Sequence, residues 1–396
     1  MIVSLSEAVL TANTGLDAIK RAPIVEEDTG IKCLRIQDVS QSKKYDDWGF
    51  TKVDEKNFEK FQLQKDDIII ARTGGSIGVN LIIKEKLKAV FNNGLIRIRV
   101  DTENYDPQFI YYILQSNIYR GHINSIAFST STQPNMKIKD FLKVEFKKFQ
   151  LAEQKAIAHI LGTLDDKIEL NRKMNETLEQ MAQALFKSWF VENVKENWEE
   201  KSLSSIATFT NGLACQKFPP ENDRKKLPVL KIKDLKSGIS ENSDWVTSNV
   251  DEKYLVFNGD IIFSWSASLM VKIWDGEDCV LNQHLFKVTS DRFPNWFNYL
   301  WCSYHLNKFI SIAKAMATTM GHIKRKDLDS AMVLVPSNEE LNEMTEKMQP
   351  LIDRTVNNNK QIKSLTKQRD VLLPQLISGK LRVNDEMLNK MREVVV

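Results

Sequence analysis

The stretch from residue 151 to residue 192 constrains the fold more than any other part of this sequence. It contains no proline and one glycine, Gly162, and its apolar residues recur at spacings of three and four. That period defines one face of an α-helix, sustained far beyond the three turns usual in globular proteins. The sequence therefore predicts a coiled-coil helix of about forty residues, roughly 60 Å long. Its seven-residue ladder runs through Ile157, Leu164, Asn171, Leu178 and Leu185, with Ile160, Met174 and Met181 beside it.

A second stretch, residues 338–378, repeats this pattern near the other end of the chain. Equivalent positions of the two stretches lie 187 residues apart, and Asn171 corresponds to Asn358. Because a long helix cannot bury its seam against itself, we expect the two helices to pack antiparallel, with Asn171 facing Asn358 and fixing the register. Pro350 lies inside the second stretch, where a proline can kink a helix. The second ladder consists of Met344, Leu351, Asn358, Leu365 and Leu372.

The segments that precede each helix also repeat. Short matches occur in the same order in residues 1–150 and 193–337, which a chance resemblance of turns explains poorly. Whole-module duplication accounts for them. The matches pair 14–16 with 211–213, 34–39 with 230–235, 47–48 with 244–245, 65–69 with 258–262, 90–93 with 280–283 and 132–137 with 319–324.

Within each module the patterns of short strands and helices are mixed. Apolar or alternating runs at 33–39, 67–71 and 94–100 predict strands, and Pro107 is expected to open a helix. The fold class is therefore α+β, with two mixed α/β domains related by a pseudo-two-fold repeat and separated by an antiparallel coiled coil of two long helices. The expected segments are a first domain at 1–150, a helix at 151–192, a second domain at 193–337, a helix at 338–383 and a tail at 384–396.

Composition limits the partners. The 55 basic and 52 acidic side chains leave a net charge of only +3, so any nucleic-acid surface must be a local patch. The four cysteines are far apart in sequence and include no C-x-x-C pair, which fits a reducing compartment. No signal peptide and no apolar run of membrane-spanning length occurs, so we expect a cytoplasmic protein without a membrane partner.

The sequence lacks recognisable catalytic patterns. It has neither a phosphate-binding G-x-x-x-x-G-K-[ST] loop nor a base-methylation [DN]-P-P-[YF] sequence. Its five histidines do not occur at metal-ligand spacing, so no metal site is expected. We therefore expect no enzyme activity from this chain alone and no cofactor bound by it.

The remaining features indicate binding. Basic residues at matching places in the two modules can neutralise phosphates, and short polar side chains on loops suit contacts with base edges. An ordinary solvated surface is the alternative interpretation of each basic cluster. The first-rank candidates are Arg72, Thr73, Ser76, Ser131, Thr132, Gln133, Lys137 and Lys139 in the first module, and Trp265, Ser266, Ser268, Thr318, Thr319, His322, Lys324 and Lys326 in the second. Asn92, Asn93, Gln283 and His284 rank second, because amides also cap turns.

The plan of the chain, together with its helix-end sequences at 178–191 and 372–383, resembles the specificity subunit of type I restriction–modification systems. The resemblance covers essentially the whole chain. It implies that each globular domain reads one half of a bipartite target in double-stranded DNA and that the paired helices act as a spacer. It also implies methyltransferase subunits and a restriction subunit with translocase activity as partners, which would carry the S-adenosylmethionine, ATP and Mg chemistry.

An alternative function from another class stays open at this point. Two protein-binding domains on a coiled-coil spacer would give a structural or adaptor protein with the same internal repeat. Enrichment of a bipartite site from a randomised pool of duplexes would distinguish DNA recognition from this alternative.

Overall fold

The computed structural model describes residues 1–127, 135–222, 224–315 and 321–383. Its contacts divide the chain into two compact units, Met1–Lys167 with Leu365–Val396 and Ile168–Ser364. These units cut across the predicted segments, because each combines one globular domain with part of both long helices.

The first unit contains three small sheets. Strands β2, β9, β6 and β7 form an antiparallel sheet in that order, β3, β5, β4 and β8 form a mixed sheet with β4 parallel to β8, and β1 pairs with β10. The strands are β1 Ile2–Ser4, β2 Val9–Thr14, β3 Ile24–Val25, β4 Lys32–Leu34, β5 Gly49–Thr51, β6 Ile68–Ala71, β7 Asn80–Ile82, β8 Ala89–Phe91, β9 Leu95–Val100 and β10 Glu145–Lys147. The helices are α1 Leu5–Ala8, α2 Ile36–Ser40, α3 Glu55–Phe61, α4 Pro107–Ile113, α5 Asn117–Ala127, α6 Ile138–Phe141 and the beginning of α7 Leu151–Lys187.

The second unit repeats this topology. Strands β12, β19, β16 and β17 form its antiparallel sheet, β14, β13, β18 and β15 form a mixed sheet with β13 parallel to β18, and β11 pairs with β20. The duplication expected from the sequence is thus confirmed in the strand order, except for the fourth strand of the mixed sheet. That strand is β3 beside β5 in the first unit and β15 beside β18, at the opposite edge, in the second. The strands are β11 Glu199–Ser202, β12 Thr208–Asn211, β13 Lys226–Leu230, β14 Trp245–Thr247, β15 Leu255–Val256, β16 Ile261–Ser264, β17 Met270–Ile273, β18 Cys279–Leu281, β19 Leu285–Thr289 and β20 Met332–Val335. The helices are α8 Leu203–Ile206, α9 Ile232–Ser237, α10 Asn295–Ala315, α11 Arg325–Asp329 and α12 Asn338–Ser378, whose last part belongs to the first unit.

Strand β6 shows why a continuous apolar run forms a strand here. Ile68 and Ile70 belong to the apolar cluster that includes Phe109 of α4, whereas Ile69 and Ala71 belong to a second cluster. Because successive side chains of a strand point to opposite faces, a strand covered on both faces must be apolar at every position. This confirms the predicted strand at 67–71.

The strand predicted at 33–39 is wrong after Leu34. Strand β4 ends at Leu34, and α2 begins at Ile36. The carboxylate of Asp38 accepts a hydrogen bond of 3.0 Å from the backbone nitrogen of Arg35, which satisfies a donor at the start of the helix. This local capping outweighs the alternating pattern. Lys231 and Asp234 repeat the same contact at the start of α9, at 3.2 Å.

The helix expected from Pro107 is interrupted in the first unit. Helix α4 begins at Pro107 but ends at Ile113, and α5 begins only at Asn117. The hydroxyl of Ser116 donates to the carbonyl of Ile113 at 2.7 Å, so this side chain satisfies a backbone group at the break. In the second unit the continuous helix α10, Asn295–Ala315, occupies the equivalent place after β19.

The long helices form as predicted and lie antiparallel within each unit. Helix α7 begins at Leu151 and ends in a π-helical turn at Ser188–Glu192, and α12 is unbroken through Pro350. In the first unit Asp165 pairs with Arg369 at 2.9 Å, and Glu153 pairs with Arg382 at 2.7 Å. Residue numbers therefore decrease along one segment in the direction in which they increase along the other, which means that the two segments run antiparallel.

A buried amide layer lies between the helices in the second unit. Asn171 and Asn358 expose 2% and 0% of their surfaces, so both lie in the seam as expected. The expected direct pairing is replaced by bonds one turn along, from Asn171 Nδ2 to Gln361 Oε1 at 3.1 Å and from Asn358 Nδ2 to Asn175 Oδ1 at 2.8 Å. Each central amide thus pairs with a residue near its counterpart. Met181, by contrast, is 48% exposed and lies outside the seam.

Gly15 and Gly212 hold equivalent positions where two backbones meet. A Cβ on Gly15 would overlap the carbonyl oxygen of Phe91, and one on Gly212 would overlap that of Asn282. The next residues form parallel bridges, Leu16 with Asn92 and Leu213 with Asn282. Glycine is required here by close approach.

We expect Gly15→Ala and Gly212→Ala each to lower the free energy of unfolding by about 1–3 kcal/mol, because the backbone must shift to admit the methyl group. Urea unfolding followed by fluorescence measures the effect. Gly75→Ala is the matched control, since an added Cβ there meets nothing within 4 Å. Equal unfolding midpoints for Gly15→Ala and Gly75→Ala would contradict the argument.

Candidate nucleic-acid interface

Two loops that are distant in sequence meet in each domain. In the first unit the backbone nitrogen of Met136 donates to the carbonyl of Arg72 at 2.8 Å, and Thr73 forms an antiparallel bridge with Asn135. In the second unit the nitrogen of Ile323 donates to the carbonyl of Trp265 at 3.1 Å. Ser266 and His322 form the equivalent bridge there. In the second copy the fold thus brings together the candidates Trp265, Ser266 and His322. In the first copy it brings Arg72 and Thr73 to Asn135, which the sequence did not single out.

Arg72 lies at the centre of this contact in the first unit. Its Nη2 donates to Asn135 Oδ1 at 2.8 Å, and its backbone nitrogen donates to the carbonyl of Gly94 at 3.0 Å. Its Nε is buried without a hydrogen-bond partner. Ser76 is half-buried in the short turn Gly74–Ser76 that follows.

The amides and lysines of the first unit lie on neighbouring segments. Asn92 and Asn93 connect β8 to β9, and their backbone nitrogens donate to Leu34 and Leu16 at 3.0 and 2.7 Å. Asn93 is exposed, whereas Asn92 is half-buried. Lys137 and Lys139, at the beginning of α6, are both exposed.

The second unit places an aromatic group at the equivalent contact. The ring of Trp265 stacks on Phe286 with centroids 5.7 Å apart, and His284 and His322 lie at 5.9 and 6.3 Å. Its Nε1 donates to Asn211 Oδ1 at 3.3 Å. Both histidines are exposed, whereas Trp265 is half-buried.

The other candidates of the second unit lie around this aromatic group. Ser266 is buried, and its hydroxyl is 3.3 Å from Nδ1 of His284. Gln283 approaches the other ring nitrogen of His284 at 3.4 Å. Ser268 is exposed after Ala267, and Lys324 and Lys326 are exposed at the beginning of α11.

Besides Asn135, the structure adds three polar residues that the sequence did not single out. A cavity of about 270 Å³ adjoins Gln283 and His284, and Gln216, Lys231 and Lys233 line it as well. The two lysines fall in the repeated match at 230–235, so the repeat itself contained a signal for them. The candidates Ser131, Thr132, Gln133, Thr318 and Thr319 lie outside the described residues.

Two buried cysteines are not poised as nucleophiles, and the described side chains form no cluster of metal ligands. Burial raises the pKa of the Cys33 and Cys302 thiols to about 12, which keeps both in the unreactive thiol form. Within the described ranges no three His, Cys, Asp or Glu side chains are grouped as metal ligands. The described helices also include none with the length and apolar character needed to cross a bilayer.

Comparison with known proteins gives the family. The model of the type I restriction modification DNA specificity domain matches this chain twice, over residues 18–180 and 195–367. The chain belongs to this family. Each matched segment contains one of the loop contacts described above. The candidate interface therefore occurs once in each of the two matched segments.

The similar relatives include specificity subunits of type I restriction enzymes. The MjaIX subunit of Methanocaldococcus jannaschii is 27% identical over 342 residues, covering 80% of this chain and 78% of the relative. The HindI subunit of Haemophilus influenzae is 22% identical, covering 81% and 88%. A crystal structure of the type I restriction–modification S subunit from M. genitalium has a similar fold, with a TM-score of 0.61 at 18% identity over 95% and 96% of the chains.

We expect the double variant Lys324→Gln/Lys326→Gln of this specificity-family chain to bind DNA more weakly on all sequences alike. Each lysine that contacts a phosphate contributes about one unit to the slope of log affinity against log salt. Titrating labelled duplexes at several salt concentrations measures this slope. Lys308→Gln, an exposed lysine on α10, is the matched control. An unchanged slope would contradict phosphate contacts by this pair.

Proposed function

We propose that this chain is the non-catalytic DNA-recognition subunit of a type I restriction–modification complex, in which each globular domain binds one half of a bipartite target. The observation that carries this proposal is the loop contact present in both domains. Its backbone pairing is the same in the two copies, whereas its side chains are Arg72 and Asn135 in one and Trp265 and His322 in the other. Because the backbone pairing is the same and the side chains differ, the two domains can bind two different half-sites in the same way.

Reading two halves also agrees with the energetics of recognition. A mismatched base pair typically costs about 1–3 kcal/mol, so a domain that contacts a few base pairs discriminates poorly by itself. Two linked domains act together, because binding of the first raises the effective concentration of the second. Affinity is then high only where both half-sites occur at a permitted spacing.

In this proposal the paired helices set that spacing and dock the methyltransferase subunits. A cavity of about 730 Å³ in the second unit supports a docking role, since apolar side chains such as Leu178 and Phe186 of α7 and Ile352 of α12 line it together with polar ones. The partner subunits, a methyltransferase and a restriction translocase, would carry S-adenosylmethionine, ATP and Mg. The complex would act on DNA in the cytoplasm. The adaptor alternative is not retained, because both copies match a DNA specificity domain.

We expect the chain, assembled with its methyltransferase partner, to enrich a bipartite sequence with a fixed spacer from a randomised duplex pool. The physical reason is that two half-sites contribute additively only when both domains are bound. Sequencing of the bound fraction measures the enrichment, and the methyltransferase partner without this chain is the control. Failure to enrich any bipartite site would refute the proposed function.

We expect the double variant Asn171→Leu/Asn358→Leu to unfold at higher temperature and to accept a wider range of spacer lengths. A buried polar residue in a coiled coil fixes register at a cost in stability. The former partners Asn175 and Gln361 are half-buried and can bind water instead. Selection from a pool with varied spacers measures the second effect.

Asn357→Leu supplies the matched control, because it makes the same chemical change on an exposed position of α12. A double variant that keeps the spacer preference of the unmodified chain would show that the amide layer does not fix the register.

A further inference from the structure

One position in each domain combines a fixed backbone with a side chain that differs sharply between the copies. The backbone nitrogen and carbonyl of Arg72 are held by Gly94 and Met136 at 3.0 and 2.8 Å. The carbonyl of Trp265, its counterpart, is held by Ile323 at 3.1 Å. A side chain anchored in this way presents its functional group in a reproducible direction, which base recognition requires and phosphate binding does not.

The guanidinium of Arg72 is oriented for recognition of an acceptor pair. Its Nη2 donates to Asn135 Oδ1 at 2.8 Å, which holds the group at one edge, and its Nε is buried, so Nη1 and the second hydrogen of Nη2 are the donors left for a ligand. A preordered planar guanidinium loses little entropy when it forms two parallel hydrogen bonds. The base edge that offers two acceptors in the major groove is O6 and N7 of guanine.

The neighbouring lysines suit the other kind of contact. Lys137 and Lys139 are exposed and follow Asn135 closely in sequence. Their flexible, compact charges can neutralise phosphates without a fixed direction. Because the lysines can bind phosphates and the guanidinium of Arg72 has a fixed direction, a base is favoured over a phosphate as the ligand of Arg72.

Trp265 offers a different surface to its half-site. Its indole N–H, the one polar group of the side chain, is already bound to Asn211 at 3.3 Å. The ring is held against Phe286 at 5.7 Å and remains half-exposed. What it can present to DNA is therefore apolar, and the apolar group on a base edge in the major groove is the methyl group of thymine.

We propose that residues 72 and 265 are the specificity-determining positions of the two half-sites, with Arg72, positioned by Asn135, reading a guanine and Trp265 contacting a thymine methyl group. This inference rests on the proposed function, since it assigns base chemistry to sites within the same interface.

The test uses the complex with the methyltransferase partner and selection from a randomised duplex pool. Arg72→Gln is expected to lose roughly ten- to hundred-fold of the preference for guanine at one position of one half-site, with the other half unchanged. Trp265→Ala is expected to lose the preference for thymine in the other half-site. Asn135→Ala should weaken selection at the same position as Arg72→Gln, and Asn135→Asp, which keeps the acceptor, should restore it.

Base analogues make the assignments sharper. Replacing the selected thymine by uracil removes only the methyl group, so it should weaken binding of the unmodified complex and leave that of Trp265→Ala unchanged. Replacing the selected guanine by 7-deazaguanine should likewise weaken the unmodified complex and not Arg72→Gln. Thermal unfolding of each variant confirms that it is folded before binding is compared.

The outcomes separate this proposal from the proposed function. If Arg72→Gln lowers affinity for all sequences equally, as Lys139→Gln is expected to do, Arg72 contacts phosphate and the assignment is overturned while DNA recognition stands. A uracil substitution without effect on the unmodified complex overturns the role of Trp265. Absence of any bipartite enrichment by the unmodified complex refutes the proposed function itself.

Discussion

The apolar seam of a long helix must be covered by other apolar side chains. How the seams of α7 and α12 are covered determines how each unit is built. Neither α7 nor α12 can bury its own ladder, so each unit lays part of one helix against part of the other. In the first unit Ile157 and Leu161 of α7 share an apolar cluster with Leu376 and Ile377. In the second, Phe186 shares one with Met348. The same clusters include residues of the globular domains, so the helices are part of each domain's core.

Duplication gives this chain two equivalent scaffolds, and the copies differ where the loops meet. Even the ends of the modules correspond, since Lys195 pairs with Glu340 at 2.6 Å in the second unit as Arg382 pairs with Glu153 at 2.7 Å in the first. Buried strands and close glycines leave little freedom for change. Arg72 and Trp265 correspond on the loop contact and are only partly buried, so this position can differ between the copies.

The sequence predicted those features that a strong periodicity or repetition encodes. The two helices, the duplicated order and the buried strand at 67–71 all depend on patterns that extend over many residues. The strand predicted at 33–39 ends at Leu34, because the hydrogen bond from the Arg35 nitrogen to Asp38 favours a helix start there. A single hydrogen bond of this kind is difficult to predict from the types of residue in a short segment.

The candidate interface was predictable in part for the same reason. Arg72, Trp265 and His322 were found because strands and basic clusters repeat. Asn135, Gln216 and Lys233 were not singled out, since their significance depends on which loop lies beside them. The contact of Arg72 with Asn135 joins segments some sixty residues apart, so it can be identified only from the folded structure.

In the proposed function, the buried amide layer limits which registers of the paired helices, and so which spacings of the two half-sites, are allowed. A register shift that again places ladder against ladder must be a whole heptad, which displaces one helix along the other by about 10 Å. With base pairs about 3.4 Å apart, that step corresponds to about three of them. Such a shift would also move Asn171 away from Gln361 and Asn358 away from Asn175, and would place both amides against apolar ladder residues. The amide layer therefore favours a single register, and in the proposed function a change of register would alter the distance between the half-sites by about three base pairs at a time.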